Sequence, residues 1–189
     1  MRFPGQLRRT AFDVAIQQLR DGRPGEAGYG RRIALLLTIP TFDDPVARDI
    51  RRATSGELYV VRTVWHRALD LATANITREI RLSSDRHAPM ANVNLGTLRS
   101  PSLQSVKVVV DPQALDALLE SVVSASVPCR PDQPEPPLDA TIFELTFGEE
   151  LSETRYRWHS DAPNGWAPLA NFASRLIRLV DEPLTATAR

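Results

Sequence analysis

The sequence is poor in the residues from which metal and redox sites are built. It has a single cysteine, Cys129, and three histidines, His66, His87 and His159. One cysteine cannot form a disulfide within the chain, and the histidines lack the spacing of an HExxH motif or a cysteine–histidine cluster. The nucleophile motif G-x-S-x-G is absent as well. These absences predict no metal, no cofactor and no catalytic residue.

An excess of charge of either sign is also missing. Lysine and arginine together number 23, as do aspartate and glutamate. A chain without net charge has no general attraction for a polyanion, so we do not expect a nucleic-acid-binding protein. Only one basic residue, Lys107, is a lysine. Because the arginines are scattered along the chain, this imbalance indicates a genomic coding bias rather than a binding site.

Long apolar runs are absent too. No stretch approaches the roughly 20 apolar residues of a membrane span, and the N-terminal segment MRFPGQLRRT lacks the apolar core of a signal peptide. With a single cysteine, the chain also suits a reducing compartment. We therefore expect a soluble, cytoplasmic protein that does not contact a membrane.

The composition predicts one folded domain. Apolar residues make up 42% of the 189 residues and charged residues 24%, which is typical of a globular protein. We assign residues 1–189 to a single α+β domain. Within it, the proline-rich segment 128–139 is a connector, residues 140–182 form a hairpin–helix unit, and residues 183–189 form a disordered tail. The hairpin–helix unit is too small for a core of its own, so we expect it to complete the sheet of the preceding residues.

The hairpin is the most regular pattern in the chain. Segments 143–147 and 154–158 both alternate apolar or aromatic residues with polar ones, the period of a half-buried strand. With Phe147 opposite Thr154, one face holds Phe143, Leu145, Tyr156 and Trp158. The other face then pairs Glu144 with Arg157 and Thr146 with Arg155. A slip of one residue would bury the arginines, so the pattern itself predicts the register.

A helix is predicted directly after the hairpin, with Pro168 in its first turn. Its apolar stripe follows helical spacing and consists of Leu169, Phe172, Ala173, Leu176, Ile177 and Val180. The nearest apolar surface for this stripe is the aromatic face of the hairpin. We expect the helix to cover that face, with Trp166 at the corner between them.

The earlier elements are predicted from periodicity and from helix caps. We expect helices over 9–20 and from Asp43 to Gly56, and a third after the cap Asp111 and Pro112. Strands are expected over 33–39, 57–66 and 103–110, with two short ones at 76–82 and 92–98. The result is an α+β fold: a single, mostly antiparallel sheet with amphipathic helices packed on it, ending in the hairpin and C-terminal helix.

The candidate site lies on the hairpin face turned away from this helix. It consists of Glu144, Arg155, Arg157 and His159. One interpretation is a solvated polar face with a cross-strand ion pair, which adds little stability. The other is an arginine-bearing surface that docks an acidic partner, since arginine and aromatic residues are enriched where proteins bind each other.

Two functional hypotheses follow. The first is a non-catalytic protein-binding module, for example a small cytoplasmic inhibitor or an immunity-type protein that neutralises a toxin by binding it. The alternative is a small enzyme or ligand-binding protein with a pocket near Trp65, Trp158 and Trp166. A deep apolar pocket with converging polar groups would favour the second hypothesis, and an exposed sheet surface or edge the first.

Overall fold

The computed structural model describes residues 4–21, 30–41, 43–66, 102–129, 137, 139–148 and 152–187. Their helices are α1 (Pro4–Asp21), α2 (Pro112–Val123) and α3 (Ala167–Thr187). Their strands are β1 (Arg31–Ile39), β2 (Val46–Arg52), β3 (Leu58–His66), β4 (Ser102–Val108), β5 (Ile142–Phe147) and β6 (Thr154–His159). No helix among these residues is both long enough and apolar enough to cross a membrane.

The six strands form one antiparallel sheet in the order β4-β3-β2-β1-β5-β6. Strands β1 to β4 run as a meander, and β5 then returns to the free side of β1. The predicted α+β fold with an antiparallel sheet and a C-terminal hairpin and helix is confirmed. The apolar run of β1 lies at the centre of the sheet with both faces covered, as its sequence predicts.

The prediction of a helix from Asp43 to Gly56 is wrong, because this segment contains strand β2 instead. The strand pairs along its length with β1 and β3. Gly56 adopts a φ of 90° in the turn between β2 and β3, where the Ala53 N–H donates to the Glu57 carbonyl at 2.8 Å. Glycine suits this turn because it tolerates positive φ without a steric penalty. The segment therefore forms a hairpin with β3.

One face of the sheet, the α2–α3 face, is covered by α2 and α3. The buried residues here are mainly Leu36, Ile50, Val60, Leu145 and Trp158 from the strands with Leu115, Leu118, Leu169, Phe172 and Leu176 from the helices. Helix α2 begins as predicted, with the Asp111 carboxylate accepting from the Gln113 N–H at 3.0 Å. Val123 is the last residue of α2 and is 81% exposed, because it turns away from the sheet.

The other face, the α1 face, is covered by α1. The helix buries Ala15, Ile16 and Leu19, and they pack with Leu35, Leu37, Ile39, Ala47 and Trp65. It begins at Pro4, before the predicted start at residue 9. Among the side chains that the structure describes, this apolar cluster is smaller than the one on the α2–α3 face, and it shares its face with charged side chains.

The C-terminal helix is longer than its pattern indicates. It continues through Pro183 to Thr187, so residues 183–187 of the predicted tail are helical. The assignment of residues 1–189 to a single domain stays a prediction. The strands predicted at 76–82 and 92–98, and most of the connector at 128–139, lie outside the described residues.

Candidate functional site

The hairpin register is the one that the sequence predicts. Phe147 pairs with Thr154, Leu145 with Tyr156, Phe143 with Trp158, Glu144 with Arg157 and Thr146 with Arg155. Its aromatic face lies under α3. The ring of Trp166 stands edge-on to Tyr156 and to Trp158, with centroid distances of 5.3 and 6.2 Å. Trp166 therefore occupies the predicted corner between hairpin and helix.

Glu144 lies beneath α1 instead of at the surface. Its side chain is 2% exposed, and its two carboxylate oxygens accept hydrogen bonds from the Arg20 guanidinium, each at 2.7 Å. Such a bidentate pair is strong because both groups are charged and their geometries match. Glu144 is therefore not part of a solvated face, as in the first interpretation, but is buried and bound to a helix.

The same contact shifts the pKa of Arg20. The hydrogen bond to Glu144 raises this pKa above its ordinary value, and partial burial opposes the rise. A raised pKa means that the stabilisation is fully present below the unfolded value and is lost only as pH rises through the folded value. Both values are strongly alkaline, so Arg20 remains charged at every physiological pH.

The other three candidate residues occupy alternate positions on β6 and share the α1 face, and we call Arg155, Arg157 and His159 the β6 stripe. Both arginines are exposed and His159 is half-buried. Arg155 donates to Glu153 at 2.5 and 3.0 Å and lies 3.7 Å from the Glu144 carboxylate. Arg157 lies opposite Glu144 in the register and takes part in a further interaction. The structure thus keeps the stripe on the same face as Glu144 and next to it, with the arginines exposed and Glu144 buried.

A second group of ion pairs extends along the α1 face and was missed from the sequence. The Arg32 guanidinium donates to both oxygens of Asp49, at 3.0 and 2.9 Å, and Arg51 donates to the same carboxylate at 2.8 Å. Arg32 also donates to the Arg20 carbonyl at 2.7 Å, which joins this group to α1. The only feature of the sequence that pointed to these ion pairs was the position of Arg20 at the end of a predicted amphipathic helix, and it did not indicate which residues Arg20 contacts.

The three tryptophans do not line one pocket. Trp65 is buried with α1, whereas Trp158 and Trp166 are buried on the α2–α3 face, so the sheet separates them. The Trp166 indole N–H donates to the Pro128 carbonyl at 2.8 Å, which anchors the start of the connector. These contacts give all three side chains a packing role.

A shallow groove of about 230 Å³ lies between α2 and α3. It is lined by Ala114, Leu118, Arg175, Arg178, Leu179 and Glu182. This volume is below the roughly 300 to 1,000 Å³ of typical ligand pockets, and the groove opens to solvent between the two helices. It lies away from the residues of both functional hypotheses.

The remaining candidates for chemistry are dispersed. His66 contacts Asp44 and Gln104, each at 3.0 Å, and Cys129 is exposed. Within the described ranges no three histidine, cysteine, aspartate or glutamate side chains group as metal ligands. His87 lies outside those ranges.

Comparisons with protein-family models, with curated proteins and with solved structures find no match to this chain.

Proposed function

We propose that this protein is a non-catalytic protein-binding module, and that its β6 stripe docks an acidic surface of a partner protein. An inhibitor or an immunity-type protein is the form of such a module that best suits its small size. The observation that carries the proposal is the pair of exposed guanidinium groups, Arg155 and Arg157, at alternate positions on the edge strand β6.

The fold has little need of these two arginines. Helix α1 packs against β1, β2 and β3, and the ion pair of Arg155 with Glu153 is at the surface. Exposed ion pairs stabilise a fold by only about 0 to 1 kcal/mol. Arginine, in contrast, is among the residues that contribute most to binding when an interface buries it. The stripe is therefore better suited to binding than to stabilising the sheet.

The local charge favours an acidic partner. Arg20, Arg155 and Arg157 lie with two carboxylates, those of Glu144 and Glu153, so these five side chains carry a net charge of +1. The Glu144 carboxylate is already bound by Arg20 and is buried. The exposed guanidinium groups of the stripe, Arg155 and Arg157, would attract carboxylates and repel a basic surface.

The test is affinity capture with three forms of the full chain: the parent, Arg155→Ala/Arg157→Ala, and a matched control, Arg175→Ala/Arg178→Ala. The control also removes two exposed arginines, but from α3. We expect a protein that is captured by the parent and the control and lost by the β6 variant. Titration calorimetry with that protein, once purified, should show at least about 30-fold weaker binding to the β6 variant. Equal affinity for all three forms would contradict the proposal.

A further inference from the structure

The main chain of β6 has a definite direction relative to its neighbour β5. The Ser160 N–H donates to the Thr141 carbonyl at 2.7 Å, which makes these two residues a hydrogen-bonded pair that continues the hairpin register. In an antiparallel ladder, hydrogen-bonded and non-hydrogen-bonded pairs alternate. Trp158 and Tyr156 therefore bond to β5, whereas the N–H and C=O groups of the β6 stripe point away from β5.

The stripe thus combines two properties at the same three positions. Its main-chain groups point towards the outer edge of the sheet, and its side chains lie on the α1 face. A strand added antiparallel to this edge would hydrogen-bond to these positions, and the residues directly opposite them would place their own side chains on the same face. Opposite Arg155 and Arg157, the complementary side chains are carboxylates.

Charge also decides between possible occupants of this edge. If a second copy paired its β6 antiparallel about a two-fold axis, the stripe would face itself and oppose positive side chains to one another. Like charges directly opposite each other destabilise a strand pair, and charged residues on edge strands discourage such self-association. A strand with acidic residues at every second position would instead place negative side chains opposite the arginines, which stabilises a strand pair.

We infer that the partner binds by strand addition: an extended segment with carboxylates at alternate positions pairs antiparallel with β6. This inference rests on the proposed function and specifies how the partner docks. Arg155 already bonds to Glu153 and Arg157 takes part in a further interaction, so the incoming strand binds beside these contacts or in place of them. All five strand pairs among the described residues are antiparallel, so we expect the added strand to pair with β6 in the same way.

The probe is a capped seven-residue peptide that alternates valine with three glutamates, titrated into the isotopically labelled full chain and followed by NMR. In an antiparallel complex the glutamate N–H groups face β6, because residues on the α1 face lie opposite the stripe, while the valine N–H groups face outward. One derivative is methylated at the glutamate amide nitrogens and a second at the valine amide nitrogens. Both keep the full charge.

We expect the parent peptide to shift the amide signals of Arg155, Arg157 and His159. Methylation at the glutamates should weaken binding at least about tenfold, because it removes hydrogen bonds to β6, whereas methylation at the valines should change it by less than about threefold. Equal binding of both derivatives, or no binding of the parent peptide, would overturn strand addition. The proposed function is tested separately, because it fails only if a captured partner binds the parent and the Arg155→Ala/Arg157→Ala variant equally.

Discussion

The two faces of the sheet are closed by different interactions. On the α2–α3 face, apolar side chains such as Leu145 and Trp158 fill the space under two helices. On the α1 face, a smaller apolar cluster shares the interior with the carboxylates of Asp49 and Glu144, and both are neutralised by arginines. Burying a charge costs several kcal/mol unless its partner is well aligned. The stability of the α1 face therefore depends on the pairing of buried charges, and that of the α2–α3 face mainly on the packing of apolar side chains.

The difference has consequences for mutation. An apolar face loses stability in proportion to the volume that is removed. A face held by ion pairs is sensitive to the loss of one partner but tolerant of the loss of both, because the cost comes from the charge left unpaired. The following experiments test this contrast, beginning with the largest expected effect.

Truncating the apolar face should cost most. We expect Trp158→Ala to lower the free energy of unfolding by about 4 kcal/mol and Leu145→Ala by about 3 kcal/mol, because both side chains are fully buried under α3. Urea denaturation measures both values. Val123→Ala is the control, since this exposed residue should change stability by less than about 0.5 kcal/mol. Denaturation curves of the buried-site variants that coincide with that of the parent would refute the assignment of this core.

Removing one member of the buried pair on the α1 face should cost slightly less. Arg20→Ala leaves the Glu144 carboxylate buried without its bidentate partner, and we expect a loss of about 3 kcal/mol. The double variant Arg20→Met/Glu144→Leu removes both charges and should recover most of that loss in the same denaturation experiment. A double variant as unstable as the single one would show that the face depends on the charges themselves.

An ion pair on the α2–α3 face allows the role of burial to be tested. Arg48 is 5% exposed and donates to Asp181 on α3, and its other contact is the Thr38 hydroxyl at 3.1 Å. Without Asp181, Arg48 keeps its hydrogen bond to Thr38. Arg62, which donates to Asp181 at 3.0 Å, is 24% exposed and screened by water. Asp181→Ala should therefore cost about 2 kcal/mol, less than Arg20→Ala. The neighbouring substitution Glu182→Ala is the control, and thermal melts rank the three variants.

The β6 stripe should have the smallest effect on stability. Arg155→Ala/Arg157→Ala removes exposed guanidinium groups, so we expect a loss below about 1 kcal/mol, similar to that of Arg175→Ala/Arg178→Ala. Thermal melts of the two double variants measure this directly. An unfolded β6 variant would place these arginines in the structural network of the α1 face, alongside Arg20.

The hairpin and its helix could be predicted because their information is local. In 143–147 and 154–158 the apolar and polar residues alternate strictly, and only one register keeps every arginine out of the core. The stripe of α3 likewise has the spacing of a helix with one buried side. In these segments, burial on one side and water on the other leave a pattern in the sequence itself.

Strand β2 shows why such patterns can mislead. Its apolar residues, Val46, Ala47 and Ile50, have helical spacing, while Arg48 and Asp49 between them look like a solvated surface. In the structure both charged residues are buried, on opposite faces of the sheet, because Asp181 and Arg32 neutralise them. Buried charges remove the apolar–polar alternation that marks a strand. Their partners lie elsewhere in the chain, and Asp181 is 133 residues away from Arg48.

Glu144 is another buried charge whose partner is distant in the sequence. The position of Glu144 on the face opposite Leu145 follows from the sequence alone, because side chains alternate along a strand. Whether that face is exposed to water or covered by a helix depends on where α1 packs. The Arg20 of α1, which neutralises Glu144, lies 124 residues away from it in the sequence. Alternation is a property of neighbouring residues and can be deduced from them. Which distant charge neutralises a buried one is decided only when the tertiary structure brings the two together.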